Sequence, residues 1–330
     1  MAQTLTELLK DAPQNWGRWG ADDEVGSLNF LTQAEVLRGV KAVQSGKVFT
    51  LQVRMCHPDG DPGYKGRSQP SRMMVMDKGH YLSGKAQPFP GGIEYADDVM
   101  MTNLQATTQY DALGHVWFDD KLYNGYDART TMGGGLSKDS ILPVAERGVV
   151  GRGVLLDVAR YKNLPHLPAG YGISLDELRQ TAEHQKLTME KHDILLIRTG
   201  WLNRFFTEGP GAYYGENATD DSPDTAVQAM SEPGIAYSPE LVNWFHEMEI
   251  PSLGSDTLAS EQTSHPESGC FVPLHGALMR NLGVLFSEIN WLEDLATDCA
   301  EDGQYAFLYA CTPLKIVGAA GSPINPIVVK

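Results

Sequence analysis

Four polar side chains alternate along one short segment and could together bind a metal ion. They are Gln105, Gln109, Asp111 and His115, all at odd positions of a stretch that otherwise has the composition of a strand. On a strand, alternate residues point the same way, so the four would share one face. A carboxylate, an imidazole and neutral amide oxygens are ligands that a divalent cation accepts. The segment therefore indicates a metal site, although an Asp-x-x-x-His pair by itself is more often a surface or turn feature.

The elements that must position this segment have the pattern of a mixed α/β fold. Strand-like patterns occupy residues 47–55, 93–118, 153–158, 194–198, 283–288 and 305–309. Helix start signals stand at Thr32, at the capping box of Ser174 and Glu177, at Ser238 with Pro239, and near Pro273. Strands outnumber long helices and do not follow strict βαβα order. We therefore predict a single α/β domain over residues 1–330, built on a β-rich core.

One long excursion interrupts this pattern at residues 57–92. Its composition turns to Pro, Gly, Ser and Lys, which favours irregular structure. A loop of this length inside a compact domain is usually a lid, a binding loop or an oligomer contact.

Composition excludes several classes of function. The chain carries 42 acidic and 26 basic residues, a net charge of −16, and no stripe of Lys and Arg, which disfavours nucleic acids and anionic membranes as partners. No run approaches the roughly 20 apolar residues of a membrane span, and no secretory signal is visible. The four cysteines are scattered, as in a reducing compartment. We therefore expect a cytoplasmic protein.

The segment around Asp111 resembles the signature HxGTHxDxPxH of the cyclase/kynurenine formamidase family, metal-dependent hydrolases that include isatin hydrolase and trans-dienelactone hydrolase. Further stretches agree in the same order: NWGRWGADDEVGSLN, GRGVLLDVAR, HDILLIRTGW, GSDTLAS, PLHGALMRNLGVLFSEINWLEDLA and PLKIVGAAGSPINP. The resemblance thus covers nearly the whole chain. It implies an α/β fold with a β-rich swivelling core flanked by helices, and a homodimer or homotetramer.

Carried over by position, the signature places its Asp on Asp111 and its last His on His115. Its two other histidines fall on Gln105 and Gln109, its Gly on Thr107 and its Pro on Leu113. Relatives with the full signature hold two zinc ions or one manganese ion. Because two imidazoles are missing here, the resemblance implies a single divalent ion, with zinc as first choice and manganese as second.

The downstream His and Glu of the family fall on His275 and Glu288. The resemblance implies an ion bound by Asp111, His115 and His275 or Glu288, with Gln109 as an optional weak ligand. Such an ion activates water and polarises a carbonyl. Glu288 is our candidate for the proton shuttle, with His275 as the second catalytic residue; if Glu288 is a ligand instead, His275 or His115 must move the proton.

The expected reaction is hydrolysis of an amide, imide or lactone bond in a small cyclic or aromatic molecule. We expect substrate contacts from Gln105, Trp117 and Tyr123, and from the excursion at residues 57–92. Two alternatives stay open. The protein could be a cyclase or dehydratase that uses the same metal as a Lewis acid, or a metal-free protein that binds a small molecule. No GxSxG elbow supports a serine nucleophile.

Overall fold

A mixed nine-stranded sheet forms the centre of the computed structural model, which describes residues 3–58, 60–214 and 231–330. The strands of the protein are, in chain order, β1 (Val48–Thr50), β2 (Ser71–Met76), β3 (Asp97–Met101), β4 (Gln109–Asp111), β5 (Val149–Asp157), β6 (Gly172–Ile173), β7 (Ile194–Arg198), β8 (Gly234–Ile235), β9 (Ser252–Ser255), β10 (Leu285–Glu288), β11 (Ala306–Cys311), β12 (Gly321–Pro323) and β13 (Ile327–Val329). The large sheet has the order β1-β13-β11-β5-β7-β9-β10-β4-β12.

The middle of this sheet is parallel and its two sides are antiparallel. Strands β5, β7, β9 and β10 pair parallel with one another. On one side, β4 pairs antiparallel with β10, and β12 with β4. On the other side, β11 pairs antiparallel with β5, β13 with β11, and β1 with β13. Parallel strands are usually covered on both faces and therefore carry continuous apolar runs, as VLLD and ILLIR do here. The predicted α/β class, with a mixed sheet flanked by helices, is confirmed.

Helices cover both faces of the sheet. In the described residues the α-helices are Leu5–Leu8, Gln33–Lys41, Lys78–Leu82, Ile141–Arg147, Val158–Tyr161, Leu175–His184, Trp201–Thr207, Pro210–Tyr214, Pro239–Glu247 and Glu293–Asp302. A π-helix spans His275–Leu282, and 3-10 helices span Gly26–Phe30, Tyr123–Gly125 and Ala128–Thr131. The predicted capping box of Ser174 and Glu177 begins its helix, and the Ser238 side chain accepts a hydrogen bond from the Leu241 N–H. No helix of the described ranges is long and apolar enough to cross a membrane.

Alternating side chains of the central strands build two separate cores. Val154 and Leu156 belong to one apolar cluster, which includes the helices Leu175–His184 and Pro239–Glu247. Leu155 and Tyr110 belong to the cluster on the other face. Because successive side chains of a strand point to opposite faces, one strand contributes to both cores.

The predicted strand over residues 93–118 is wrong in extent. It divides into β3 and β4, which lie in different sheets, and the chain between and after them is irregular. The excursion at residues 57–92 is likewise less irregular than predicted, since it contains β2 and the helix Lys78–Leu82. Strand β2 pairs with β3 in a separate two-stranded antiparallel sheet.

Candidate metal centre and active site

Strands β4 and β10 place three polar side chains on one face of the sheet. Glu288 stands opposite Gln109 in the antiparallel register, and the Gln109 Nε2 donates to Glu288 Oε2 at 2.9 Å. Asp111 lies two residues further along β4, so it points to the same face as Gln109. Tyr110, between them, points to the opposite face and its hydroxyl contacts that of Tyr309 at 2.7 Å. The predicted alternation therefore holds for Gln109 and Asp111.

His275 reaches the same point from the first residue of the π-helix. Its Nδ1 lies 2.6 Å from Glu261 Oε1, and the backbone N–H groups of Leu274 and His275 also donate to this carboxylate. The ring is therefore held in one orientation, with Nε2 directed to Glu288 Oε1 at 3.5 Å. A histidine that binds a metal usually gives its other nitrogen to a carboxylate in this way.

Asp111, His275 and Glu288 form a group that fits a divalent cation. Each is buried, and each offers one ligand atom within 4.8 Å of the others. Three buried oxygens at this point have no hydrogen-bond partner in the described part of the chain: Gln109 Oε1, Asp111 Oδ1 and Glu288 Oε1. Buried polar atoms without partners are costly, and a cation held by Asp111, His275 and Glu288 would give the two carboxylate oxygens a partner.

His115 stands at the edge of this group. Its Nε2 lies 4.0 Å from Asp111 Oδ1, and the side chain is 23% exposed. The residue follows a turn in which the His115 N–H donates to the carbonyl of Ala112, so it is not on β4 itself. Loss of solvent around the ring lowers the pKa of His115, against the opposing charge of Asp111. The imidazole therefore stays neutral at a lower pH than an exposed histidine.

The buried charges influence each other strongly. Burial, followed by the negative charge of Asp111, raises the pKa of Glu288 to about 7. Burial works to lower the pKa of His275, but the interactions of its ring with the carboxylates of Glu261 and Glu288 outweigh burial and raise this pKa to about 10. Protons would therefore compete with a cation for the same lone pairs, as they do in metal sites generally.

A cavity of about 260 Å³ opens above the group. Asp111, His115, His275 and Glu288 line one part of it. The remaining lining is largely apolar or aromatic, apart from one guanidinium: Tyr64, Arg67, Val116, Leu258, Ala259, Phe271 and Val272. Tyr64 and Arg67 belong to the excursion at residues 57–92, where we expected pocket residues. A largely apolar cavity with a few polar groups is the usual form of a small-molecule site.

The three residues predicted to contact substrate lie outside this lining. Trp117 is exposed, and Tyr123 is fully buried with its hydroxyl donating to Asp23. The Gln105 carbonyl instead accepts a hydrogen bond from Arg67 Nη1 at 2.7 Å. The prediction for Trp117 assumed that one strand continues beyond Asp111 and places Trp117 on the same face as His115. Strand β4 ends at Asp111, so residues after it no longer alternate between the two faces of the sheet.

Glu261 and Arg67 are the residues that sequence reasoning missed. Glu261 comes directly after the GSDTLAS stretch, and Gly234 of β8 packs so closely on it that an added Cβ would lie 2.2 Å from the Glu261 backbone. The need of a buried His275 for a carboxylate partner could have prompted a search for such a residue. Nothing in the sequence around Arg67 distinguishes it from the other basic residues of the excursion.

Comparisons with known proteins identify the family to which the chain belongs. The family model described as "Putative cyclase" matches residues 47–262, a range that includes β4 and Glu261. A crystal structure of a novel cyclase is 34% identical, covers 100% of both chains and superposes with a TM-score of 0.82. The chain therefore belongs to the cyclase family.

Two isatin hydrolase structures share the fold at lower identity. Isatin hydrolase A from Ralstonia solanacearum is 16% identical with a TM-score of 0.56, covering 86% of this chain and 91% of its own. An isatin hydrolase bound to the product analogue thioisatinate is 18% identical with a TM-score of 0.56, covering 90% of this chain and 98% of its own. A search of curated proteins finds no match.

Proposed function

We propose that the protein is a metal-dependent hydrolase that opens an amide, imide or lactone bond in a small cyclic or aromatic compound. The observation that carries the proposal is the buried group of Asp111, His275 and Glu288, whose ligand atoms lie within 4.8 Å of one another below an open cavity. One carboxylate-rich site with a single imidazole suits one divalent cation. We keep zinc as first choice and manganese as second.

Asp111, His275 and Glu288 would hold the cation, and Gln109 would add its unpartnered Oε1 as a weak ligand. When bound, a divalent ion supplies Lewis acidity that activates water and polarises a carbonyl. Glu261 would keep the second His275 proton on Nδ1, so that Nε2 could give up its own proton and offer its lone pair to a cation held with Asp111 and Glu288.

His115 is the residue best placed to move a proton. Glu288 lies within the group of three ligands, and Glu261 fixes His275, so neither is free to serve as the carrier. His115 lines the cavity outside that group, and its Nε2 lies near Asp111. It would take the proton from water at Nε2 and return it to the leaving nitrogen or oxygen.

The rest of the cavity suits a flat aromatic substrate whose hydrolysis product is an anion. Tyr64 and Phe271 offer aromatic surface, and Arg67 contributes a guanidinium held by the Gln105 carbonyl. Hydrolysis of an acyl bond develops negative charge on the carbonyl oxygen and leaves a carboxylate. A guanidinium is a good partner for both charges.

We also propose that the protein works in a reducing compartment such as the cytoplasm. All four cysteines are free thiols, and Cys270, Cys299 and Cys311 are buried.

The test combines metal analysis with product analysis. Protein purified without chelator is expected to hold close to one equivalent of zinc or manganese. It should hydrolyse members of a panel of lactones, imides and aryl amides, with isatin included because two similar structures are isatin hydrolases. In heavy-oxygen water the label should enter the product. Turnover without label would indicate a cyclase or dehydratase, and protein without metal or turnover would indicate a binding protein.

A further inference from the structure

A second cavity lies where the chain leaves β1 and β10. Its volume is about 540 Å³, compared with about 260 Å³ for the cavity above the candidate metal centre. The two cavities share no lining residue in the described part of the chain, so the second cavity is a separate site. A cavity of this volume accommodates a small organic molecule.

Aromatic side chains form one wall of the second cavity. The Phe206 ring stands edge-on to the Trp291 ring with centroids 5.5 Å apart, and its centroid lies 5.8 Å from that of His57. The Trp291 N–H donates to the Leu51 carbonyl at 2.7 Å, which ties this wall to the chain that follows β1. Phe206 is nonetheless 37% exposed, so aromatic surface is open to the face of a ligand ring.

Two opposite charges line the same cavity without pairing with each other. Arg54 is exposed, and its guanidinium has no hydrogen bond or ion pair within residues 3–58, 60–214 and 231–330. Asp294 accepts a hydrogen bond from Trp291 Nε1 at Oδ2, which leaves Oδ1 without a partner in those same ranges. A guanidinium is a good partner for a carboxylate, and a carboxylate oxygen accepts from an O–H or N–H group.

We infer that the second cavity binds a flat aromatic carboxylate that also carries a hydroxyl or amino group. The ring of this ligand lies against Phe206 and Trp291. Its carboxylate pairs with Arg54, and its O–H or N–H donates to Asp294 Oδ1. This binding site goes beyond the hydrolysis proposed above, because no residue of the candidate metal centre takes part in it.

The charges favour a single carboxylate over a phosphate. Among the described residues that line the second cavity, Arg54 is the only Lys or Arg. The whole chain carries −16, which opposes anions of higher charge. Asp294 repels an acid group placed beside it, so the carboxylate belongs at the Arg54 end and the uncharged donor at the Asp294 end.

Titration calorimetry of the full chain with 4-hydroxybenzoate tests the site. The wild type should bind 4-hydroxybenzoate about tenfold more tightly than 4-hydroxybenzamide, which replaces the carboxylate with a neutral amide. It should also bind 4-hydroxybenzoate more tightly than benzoate, which lacks the donor. Arg54→Gln should abolish the preference for the acid over the amide. The control Arg67→Gln removes the guanidinium of the other cavity and should keep that preference.

Tryptophan fluorescence locates the bound molecule. Binding of 4-hydroxybenzoate should change the emission of the wild type, and Trp291→Phe should lose this change, with a thermal melt to show that each variant folds. None of these measurements depends on turnover or metal content, so the result is separate from that of the proposed function. Equal binding of acid and amide by the wild type, or no binding of either, would overturn the inference. A preference for the acid that is lost in Arg67→Gln and kept in Arg54→Gln would overturn it as well.

Discussion

The candidate metal centre (Asp111, His275 and Glu288) buries polar side chains, whereas the two-stranded arm of residues 71–101 exposes apolar ones. At the metal centre, polar side chains are buried with oxygen atoms that have no partner among the described residues, notably Asp111 Oδ1 and Glu288 Oε1. In the arm, apolar side chains such as Leu82 and Met101 stand in solvent at 79% and 75% exposure. Each arrangement is unfavourable in the isolated chain.

The two regions differ in what would relieve this cost. A cation would stabilise the buried oxygens, whereas contact with an apolar surface would stabilise the exposed methionines and leucine. The candidate metal centre is fixed by hydrogen bonds between elements far apart in the chain, such as the one between Gln109 of β4 and Glu288 of β10. The arm has few such constraints. We therefore expect substitutions at the metal centre to change chemistry, and substitutions in the arm to change association.

The largest effect is expected for Asp111→Asn. The amide removes one negative ligand but keeps the size of the side chain, so metal content should fall below about half an equivalent and kcat/KM should drop by about 10³ or more. Metal analysis and hydrolysis of the best substrate from the panel measure both. Asp176→Asn, on an exposed helix start, is the matched control. Near-normal metal content and turnover in Asp111→Asn would remove the residue from the site.

The same Leu→Ala substitution at two positions compares the contribution of the core with that of the arm to the free energy of unfolding. Leu196 is fully buried in the central sheet, and Leu196→Ala should lower the free energy of unfolding by about 2–5 kcal/mol. Leu82→Ala in the arm should change it by less than about 0.5 kcal/mol in the monomer. If the arm is an interface, the effect of Leu82→Ala should grow with protein concentration, whereas that of Leu196→Ala should not. Thermal melts at several concentrations measure this difference.

The sequence predicted the parts of the fold and site that depend on local pattern. Apolar runs located β5, β7 and β10, and alternation along β4 placed Gln109 and Asp111 on one face. Strand β9, with the sequence SLGS, has no such pattern, because its burial comes from its neighbours in the sheet.

Contacts between distant segments could not be read from the sequence. Glu261 meets His275 through the path of the chain between them, and Gly234 of β8 packs closely on the Glu261 backbone. Arg67 reaches the cavity because the Gln105 carbonyl binds it, and that carbonyl belongs to a segment we predicted as strand. The exposure of β2 and β3 was also not predictable, since continuous apolar runs such as those at residues 73–76 and 99–101 normally indicate a buried strand.

A smaller effect is expected for Glu261→Gln. The amide still fills the space but no longer carries the charge that orients His275, so affinity for zinc should fall about 10- to 100-fold. Competition with a chromogenic chelator measures the affinity, and a thermal melt shows whether folding is affected. The exposed Glu267→Gln is the control. Unchanged affinity would mean that Glu261 only supports the helix start.

The smallest effect is expected for Arg67→Gln, which tests whether the cavity recognises developing negative charge. The guanidinium is half-buried, so water screens part of its field, and we expect kcat/KM to fall about tenfold with metal content unchanged. The product carboxylate should inhibit the variant more weakly than the wild type, while a neutral analogue of the same ring should bind both equally. Arg179→Gln removes an exposed positive charge elsewhere and controls for the change in net charge. If Arg67→Gln loses affinity for the product carboxylate and for the neutral analogue to the same extent, Arg67 supports the cavity wall and does not recognise the charge of the ligand.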